Sequence, residues 1–482
     1  MPDRRTILLT GATGYIGGLL LRRLQGADLH LRCLARRPHE LVGRIADGAE
    51  VLAGDVLDPE SLAEAMRGVD TGYYLVHSMS AAGGFEELDR RAALNFADAA
   101  RRAGVARIIY LGGLGRGDEL SEHLASRHEV GQILRSSGVP TIELRASIVI
   151  GSGSASFEAV RDLVERLPAI PTPRWSETAS QPIAASDVIE YLVAAMALES
   201  KRSAIYEIGG SDRTSYAQIM REYARLRHLR RPMLRIPLIT PHAARLFLGA
   251  LTPGYAQVVG SMIASMRNAT IVDDATARET FRITPCGLRE AIERALVAED
   301  RAFAQRQWSE VFDASSASRI GGLRLGRRRV SSRVARVDAR AESAFVPIQR
   351  IGGSTGWYAL DWFWRLRGRI DKMRGGAGLR RGRRHAHLLR VGDSVDCWRV
   401  ERFEPGRRLL LAAEMKLPGR LWLQFEVSPD GTGAQIRQTT VFDPAGYVGL
   451  AYWFLLYPVH TTVFRAMLRG VRHATTVRSC PA

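Results

Sequence analysis

The chain has 482 residues, more than one ordinary core accommodates, so two or three domains are expected. It is 46% hydrophobic, which suits folded domains and excludes disorder. The net charge of +18 lies wholly in residues 301–482, which hold 32 basic and 14 acidic residues, so a neutral half precedes a strongly basic one.

The basic residues are almost all arginine, and Lys201, Lys372 and Lys416 are the only lysines. No site before position 201 can therefore use lysine as Schiff-base former, phosphate-loop cation or pKa-lowering neighbour. Cys33, Cys286, Cys397 and Cys480 lie far apart, which excludes a disulfide framework and a zinc site and suits a reducing, cytoplasmic compartment. The opening MPDRRTILLTGATG runs straight into a strand, with no signal peptide visible. The longest apolar run, near 448–457, is cut by Pro458 and is too short to span a membrane.

The first 150 residues alternate strand and helix patterns. Strands are predicted at Thr6–Thr10, Leu29–Leu34, Glu50–Asp55, Thr71–His77, Arg107–Gly113 and Thr141–Ile150. Helices are predicted at Tyr15–Leu24, from Asp58-Pro59 to Gly68, and at Phe85–Arg102. Strands joined by helical crossovers imply an α/β fold, a Rossmann-type doubly wound parallel sheet. Residues 151–300 read as a mainly helical substrate region with one strand at Ala204–Ile208. A Ser-, Gly- and Arg-rich stretch at 314–340 marks the boundary, within a basic linker over 301–344.

From 345 to 475 the pattern changes to α+β. Strands are predicted at Val395–Phe403, Arg408–Ala413, Leu421–Val427 and Ala434–Phe442, separated by turn signals such as Pro429-Asp430-Gly431. Leu421, Leu423, Phe425 and Val427 alternate with Trp422, Gln424 and Glu426, so one face is buried. Tight connections imply an antiparallel meander, and a last helix runs from about Gly446 to Arg469. That helix is apolar almost all round in its first half, which places it in the grip of the sheet or in a membrane interface, the grip being favoured.

The strongest motif is Thr10-Gly11-Ala12-Thr13-Gly14-Tyr15-Ile16-Gly17, between the first strand and the first helix. Gly11 permits the tight turn, Gly14 lets backbone approach a pyrophosphate, and Gly17 allows close helix–sheet packing. The helix N-terminus offers unpaired N–H groups to the anion. An NAD site places Asp or Glu about 20 residues further on to hold the ribose 2′-hydroxyl. Here the second strand ends in Arg36-Arg37, which suits a 2′-phosphate and favours NADP, with NAD as the alternative.

These residues, with Gly54-Asp55, the Arg145 strand and the segment Gln181-Pro182-Ile183 to Asp187-Val188, resemble the atypical, extended short-chain dehydrogenases/reductases. The nearest resemblance is to the NAD(P)H-binding subgroup related to NmrA and the 39-kDa subunit of respiratory complex I, over about residues 5–300. It implies that Asp55 and Val56 lie along the adenine and that Leu75, Val76 and His77 border the cofactor. Typical members use Tyr-x-x-x-Lys as the proton-donating pair, after a serine that follows the fifth strand. In this chain His123 stands at the tyrosine position, Arg127 at the lysine position, and Leu111-Gly112-Gly113 where the serine is expected. His123 beside Arg127 is the candidate general acid and His77 a second one; the alternative is that these are packing or surface histidines.

The C-terminal layout resembles the helix-grip fold of START and polyketide-cyclase-like proteins, and the uncharacterised domain that often follows this reductase subgroup. The resemblance rests on Trp357-Tyr358, Leu417-Pro418-Gly419-Arg420, Asp443-Pro444 and Tyr452-Trp453. It implies a cavity for a hydrophobic ligand. His460 stands alone on the terminal helix and reads as core. Residues 365–390 hold ten basic residues and one acid. A solvated basic loop is one reading and an anionic membrane surface, at the inner face of a membrane, another. Nucleic acid is disfavoured, because aromatics for base stacking are missing. Two functions follow: an NAD(P)H-dependent oxidoreductase acting on a hydrophobic carbonyl or quinone-like molecule, or a non-catalytic NADP(H)-binding redox sensor or assembly protein.

Overall fold

The computed structural model describes residues 4–479 apart from 42–43, 46–47, 78–84, 117–119, 237–239, 241–262, 306–322, 326–327, 374, 376–377 and 379–387. The chain divides into two units, Met1–Glu299 and Asp300–Ala482.

The first unit is built on seven parallel strands: β1 (Thr6–Thr10), β2 (His30–Ala35), β3 (Glu50–Ala53), β4 (Thr71–Tyr74), β5 (Arg107–Gly113), β6 (Thr141–Ala146) and β7 (Ala204–Ile208). Their order is β7-β6-β5-β4-β1-β2-β3, which reverses direction at β1. Ile7 and Leu9 face one core and Leu8 the other, so β1 is buried on both sides, as a parallel sheet requires. α1 (Tyr15–Leu24) and α6 (Ala185–Ala197) cover one face; α2 (Pro59–Ala65), α3 (Phe85–Arg102) and α4 (Glu122–Arg135) cover the other. Asp58 caps α2 by accepting from the Glu60 N–H, with Pro59 in the first turn, as its sequence predicts.

The strand predicted at Thr141–Ile150 ends at Ala146, and Val149–Ile150 pairs separately with Ile183–Ala184. The chain leaves the sheet there and turns toward the site described below. Residues 151–300 are less separate than expected. β7 pairs in parallel with β6 through the α6 crossover, so it belongs to the main sheet. A further core lies among α5 (Ala155–Arg166), α7 (Tyr216–Leu226) and α8 (Leu288–Gln305).

The second unit is a seven-stranded antiparallel sheet: β8 (Leu323–Leu325), β9 (Arg328–Val337), β10 (Ser394–Val395), β11 (Trp398–Glu404), β12 (Arg408–Ala413), β13 (Gly419–Asp430) and β14 (Gly433–Pro444), in the order β8-β9-β14-β13-β12-β11-β10. The last three strands of the meander are as predicted, the third and fourth longer, but the strand expected at Val395–Phe403 is two, Ser394–Val395 turning back to pair antiparallel with Trp398–Glu404. Its neighbour β9 corrects the linker expected over 301–344, since residues 329–337 pair along their whole length with β14. Arginines and serines disguise this strand in the sequence, although Val330 and Val337 are buried in it.

α9 (Ala341–Gln349), α10 (Asp361–Met373) and α11 (Gly446–Ser479) complete the unit. α11 runs ten residues past its expected end and buries Trp453, Phe464, Met467 and Val471 in one core with Leu423, Phe425 and Trp398 of the sheet. Its other side leaves Val448 and Leu455 exposed. Among the described residues no helix is long and apolar enough to cross a membrane. The second face of β13 is buried too: Trp422, Gln424 and Glu426 are all buried, with Glu426 between Arg408 and Arg437 of the neighbouring strands. The basic segment 365–390 starts on α10, and its densest part, 379–387, lies outside the described residues.

Candidate functional site

β1 delivers the chain into the glycine turn. Gly11 takes φ +76°, and a Cβ there would lie 2.4 Å from the Leu75 carbonyl oxygen. A Cβ at Gly17 would lie 2.1 Å from the Gly11 oxygen, so the fold itself demands both glycines. Gly14 is different: its φ is −74°, and a Cβ there would meet only the Gly11 oxygen, at 3.2 Å. The fold itself does not demand a glycine at Gly14 and leaves the space over it open. Thr13 and Gly14 are exposed, and the first turn of α1 carries no acidic residue against the dipole. The unpaired N–H groups of that turn fit a pyrophosphate.

The other cofactor residues divide. Thr10 is fully buried, and its hydroxyl donates to the Tyr73 carbonyl at 2.8 Å, stitching β1 to β4 rather than facing a ligand. Asp55 accepts from the Leu57 N–H at 3.0 Å, which shapes the turn after β3. Val56 is buried under that turn, and Val76 packs against the same core. Arg37 is tied to Glu40 at 3.0 Å. Arg36, beside it at the end of β2, is exposed and has no side-chain partner among the described residues.

A cavity of about 270 Å³ opens at the carboxyl ends of β5 and β6. Tyr15 and Ile16 of the glycine turn line it together with His123 and Arg127, so the expected cofactor and proton-donor positions share one space. Ser121 caps α4 by accepting from the Leu124 N–H, which fixes His123 in the first turn. The Arg127 guanidinium donates to the Leu111 carbonyl and lies 5.9 Å from the Tyr110 ring. His128 is held at the Gly113 carbonyl, 3.1 Å away.

His123 is not isolated. Its Nδ1 lies 3.3 Å from His77 Nε2, and His77 Nδ1 lies 2.9 Å from Asp89 Oδ2. A carboxylate only accepts, so His77 donates from Nδ1; its Nε2 then accepts the His123 Nδ1–H. Burial pushes the His123 imidazole down to about 3, with the Arg127 charge and His77 adding to it and Asp89 opposing. Burial also lowers His77, against the Asp89 hydrogen bond that raises it. A positive charge is thus disfavoured on His123 beside Arg127 and better tolerated on His77 beside Asp89.

A profile described as NAD(P)H-binding matches residues 11–147, the stretch that contains the turn, the cavity's strand ends and all three relay residues. Residues 11–147 form an NAD(P)H-binding domain. Residues 330–467 match a second profile, a protein family of unknown function, DUF2867. The chain is similar to ceramide reductase of Caulobacter vibrioides, at 28% identity over 171 residues, 35% of this chain and 54% of that protein. It is also similar to NAD(P)H azoreductase of Xenophilus azovorans, at 33% over 109 residues, 23% of this chain and 36% of that protein. It thus spans about half the length of the first relative and about a third of the second. Citrobacter sp. triphenylmethane reductase, solved with NADP(H), shares the fold at 18% identity and a TM-score of 0.50, over 60% of this chain and 99% of that one.

Sequence reasoning missed Asp89 in the NAD(P)H-binding domain. Its signal was present: Asp89 falls on the α3 face made by Ala92, Ala93 and Phe96, where an unpaired acid would be costly. The missing serine also has a physical reason. A Cβ at Gly113 would lie 2.9 Å from Leu124 Cδ2 and 3.3 Å from Arg127 Cδ, so α4 occupies that space. Ser147, at the end of β6, lines the cavity instead, bonded to Thr270 at 2.7 Å.

Proposed function

We propose that the chain is an NADPH-dependent reductase of a hydrophobic carbonyl or quinone-like molecule, with His123 as the proton donor. The observation that carries this reading is the Asp89–His77–His123 chain ending in the cavity that the glycine turn also lines. NADPH, when bound, supplies a hydride. His123 gives its Nε2 proton to the substrate oxygen while Nδ1 takes the proton held on His77 Nε2. His77 ends neutral, still donating from Nδ1 to Asp89. Reloading runs the same path backwards from solvent, with the charge stored on His77 beside the carboxylate. Arg36, with no side-chain partner among the described residues, would grip the 2′-phosphate. Leu111, Leu114, Ile148 and Val149 give the cavity wall an apolar character that suits an apolar substrate. The relatives named above being reductases supports the same direction.

The test follows NADPH absorbance with a panel of aldehydes and quinones. The wild-type chain should oxidise NADPH with at least one of them. His123→Gln should lose at least about 100-fold in kcat, the usual scale of a general acid, with NADPH affinity unchanged. The resistance of the His123 imidazole to protonation favours a second reading, a redox sensor that binds NADP(H) without turnover. Tight NADPH binding with no oxidation across the panel would select it.

A further inference from the structure

α11 has two faces. Trp453, Phe464, Met467 and Val471 pack into the core of the second unit. The opposite face is exposed, and its chemistry changes half-way along. Val448, Ala451, Leu455 and Val459 come first, with Leu455 78% and Val448 75% exposed. Spacings of three and four residues keep them on one side of the helix. Thr462 follows, and then Arg465, Arg469 and Arg472, all exposed on the same side. The sequence of α11 contains no acidic residue.

α10 repeats the combination. Trp362, Leu366 and Met373 are exposed, and so are Arg365, Arg369 and Lys372 among them. Asp371 of the same helix is turned inward, where it is fully buried and accepts from the Lys416 N–H at 2.8 Å. The two helices adjoin, with the Trp364 ring 6.4 Å from Phe464. Single exposed apolar side chains are ordinary, but an apolar stripe that runs into a row of arginines needs a partner both apolar and anionic. A second copy of this stripe offers apolar surface and no acid. A nucleic acid backbone offers phosphates and no apolar surface. A bilayer with anionic lipid offers acyl chains directly beneath phosphates. The apolar stretch from Val448 to Val459 is about 16 Å long, roughly half of a hydrocarbon core, so it suits an interface and cannot span one.

We propose that the second unit docks on a bilayer surface that contains anionic lipid, with α11 lying in the plane of the interface. Val448, Leu455 and Val459 enter the acyl boundary, and Arg465, Arg469 and Arg472 meet the lipid phosphates. Trp362 lies at headgroup level, where an amphipathic ring is favoured. This docking is independent of the reductase reading, because every group in it belongs to the second unit and binding needs no turnover.

The test sediments the full chain with sucrose-loaded vesicles of phosphatidylcholine, alone or with phosphatidylglycerol added. The anionic vesicles should bind at least about 10-fold tighter than the neutral ones, and less so at high salt. Val448→Gln with Leu455→Gln leaves every charge in place and should weaken binding to anionic vesicles at least about 10-fold. Its melting point should match wild type, since both side chains are exposed. Arg465→Gln, Arg469→Gln and Arg472→Gln together should weaken the anionic vesicles about 10- to 100-fold and leave the neutral ones unchanged. No binding to anionic vesicles, equal binding to both kinds, or unchanged binding in the Val448→Gln, Leu455→Gln protein would each overturn the proposal. So would a wild-type dimer that this pair of changes splits, because a second copy would then cover the face. Should that protein fail to fold, the arginine variant decides alone: unchanged binding to anionic vesicles overturns it.

Discussion

Replacing glycines 14 and 17 by alanine, one at a time, separates what the fold needs from what the ligand needs. At Gly17 a Cβ would sit 2.1 Å from a backbone oxygen, so α1 must shift off the turn. Overpacking of this kind costs about 1–3 kcal/mol, and a unit of this size loses roughly 2–4 °C per kcal/mol. Gly17→Ala should therefore melt about 2–12 °C lower. At Gly14 the backbone suits any residue, and the Cβ has only one neighbour, at 3.2 Å. Alanine there loses part of a good N-cap, at most about 1 kcal/mol, so the melting point should move by no more than about 4 °C. Its methyl group instead blocks the approach to the α1 N-terminus. Losing one charge-assisted hydrogen bond, about 1.5–3 kcal/mol, weakens NADPH about 10- to 150-fold. Differential scanning fluorimetry and NADPH fluorescence titration read the two effects. Gly14→Ala binding NADPH as tightly as wild type would refute the placement of the pyrophosphate over this turn.

Two further outcomes follow from the same site. NADPH should bind more tightly than NADH, and Arg36→Asp should reverse the preference, because an acid there repels the 2′-phosphate and accepts the free ribose hydroxyls; equal affinities in the wild type would end the role given to Arg36. Both histidines have lowered pKa values, so the proton-loaded relay gains population as pH falls toward the acid side of the ordinary histidine range. The reductase rate should therefore rise from pH 8 to pH 6. Asp89→Asn removes the charge that holds the proton on His77, and should shift that rise about 1–2 pH units lower and cut the rate at pH 7 about 10- to 100-fold, with NADPH affinity intact. A pH profile unmoved by Asp89→Asn would mean that His123 works without the relay.

The parallel sheet was legible because its strands are short apolar runs closed by glycine or capped by Asp58, and each rule acts within a few residues. The glycine turn was legible for the same reason. The relay was only half legible. His123 and His77 stood out through their alignment with a family pattern, but the bond between them joins residues 46 positions apart, and Asp89 enters from a third element. No local spacing encodes that meeting. β9 was illegible for a different reason. Arg329, Ser331 and Arg333 carry the period of a strand in polar residues, and hydrophobic alternation cannot register a strand whose inner face is polar.

The outer face of that sheet changes what the basic excess means. A composition dominated by arginine suggests solvated surface, yet in the second unit several guanidiniums are interior. Arg328 and Arg420 lie 5.2 and 5.1 Å from the Trp422 ring, and both reach Asp443, which is fully buried. Arg408, 2% exposed, lies 3.6 Å from Glu426. Lysine could not replace them, because stacking on an indole while sharing a carboxylate needs a planar, delocalised cation. On the outer face of the sheet the unit thus answers buried arginine with buried acid or aromatic surface.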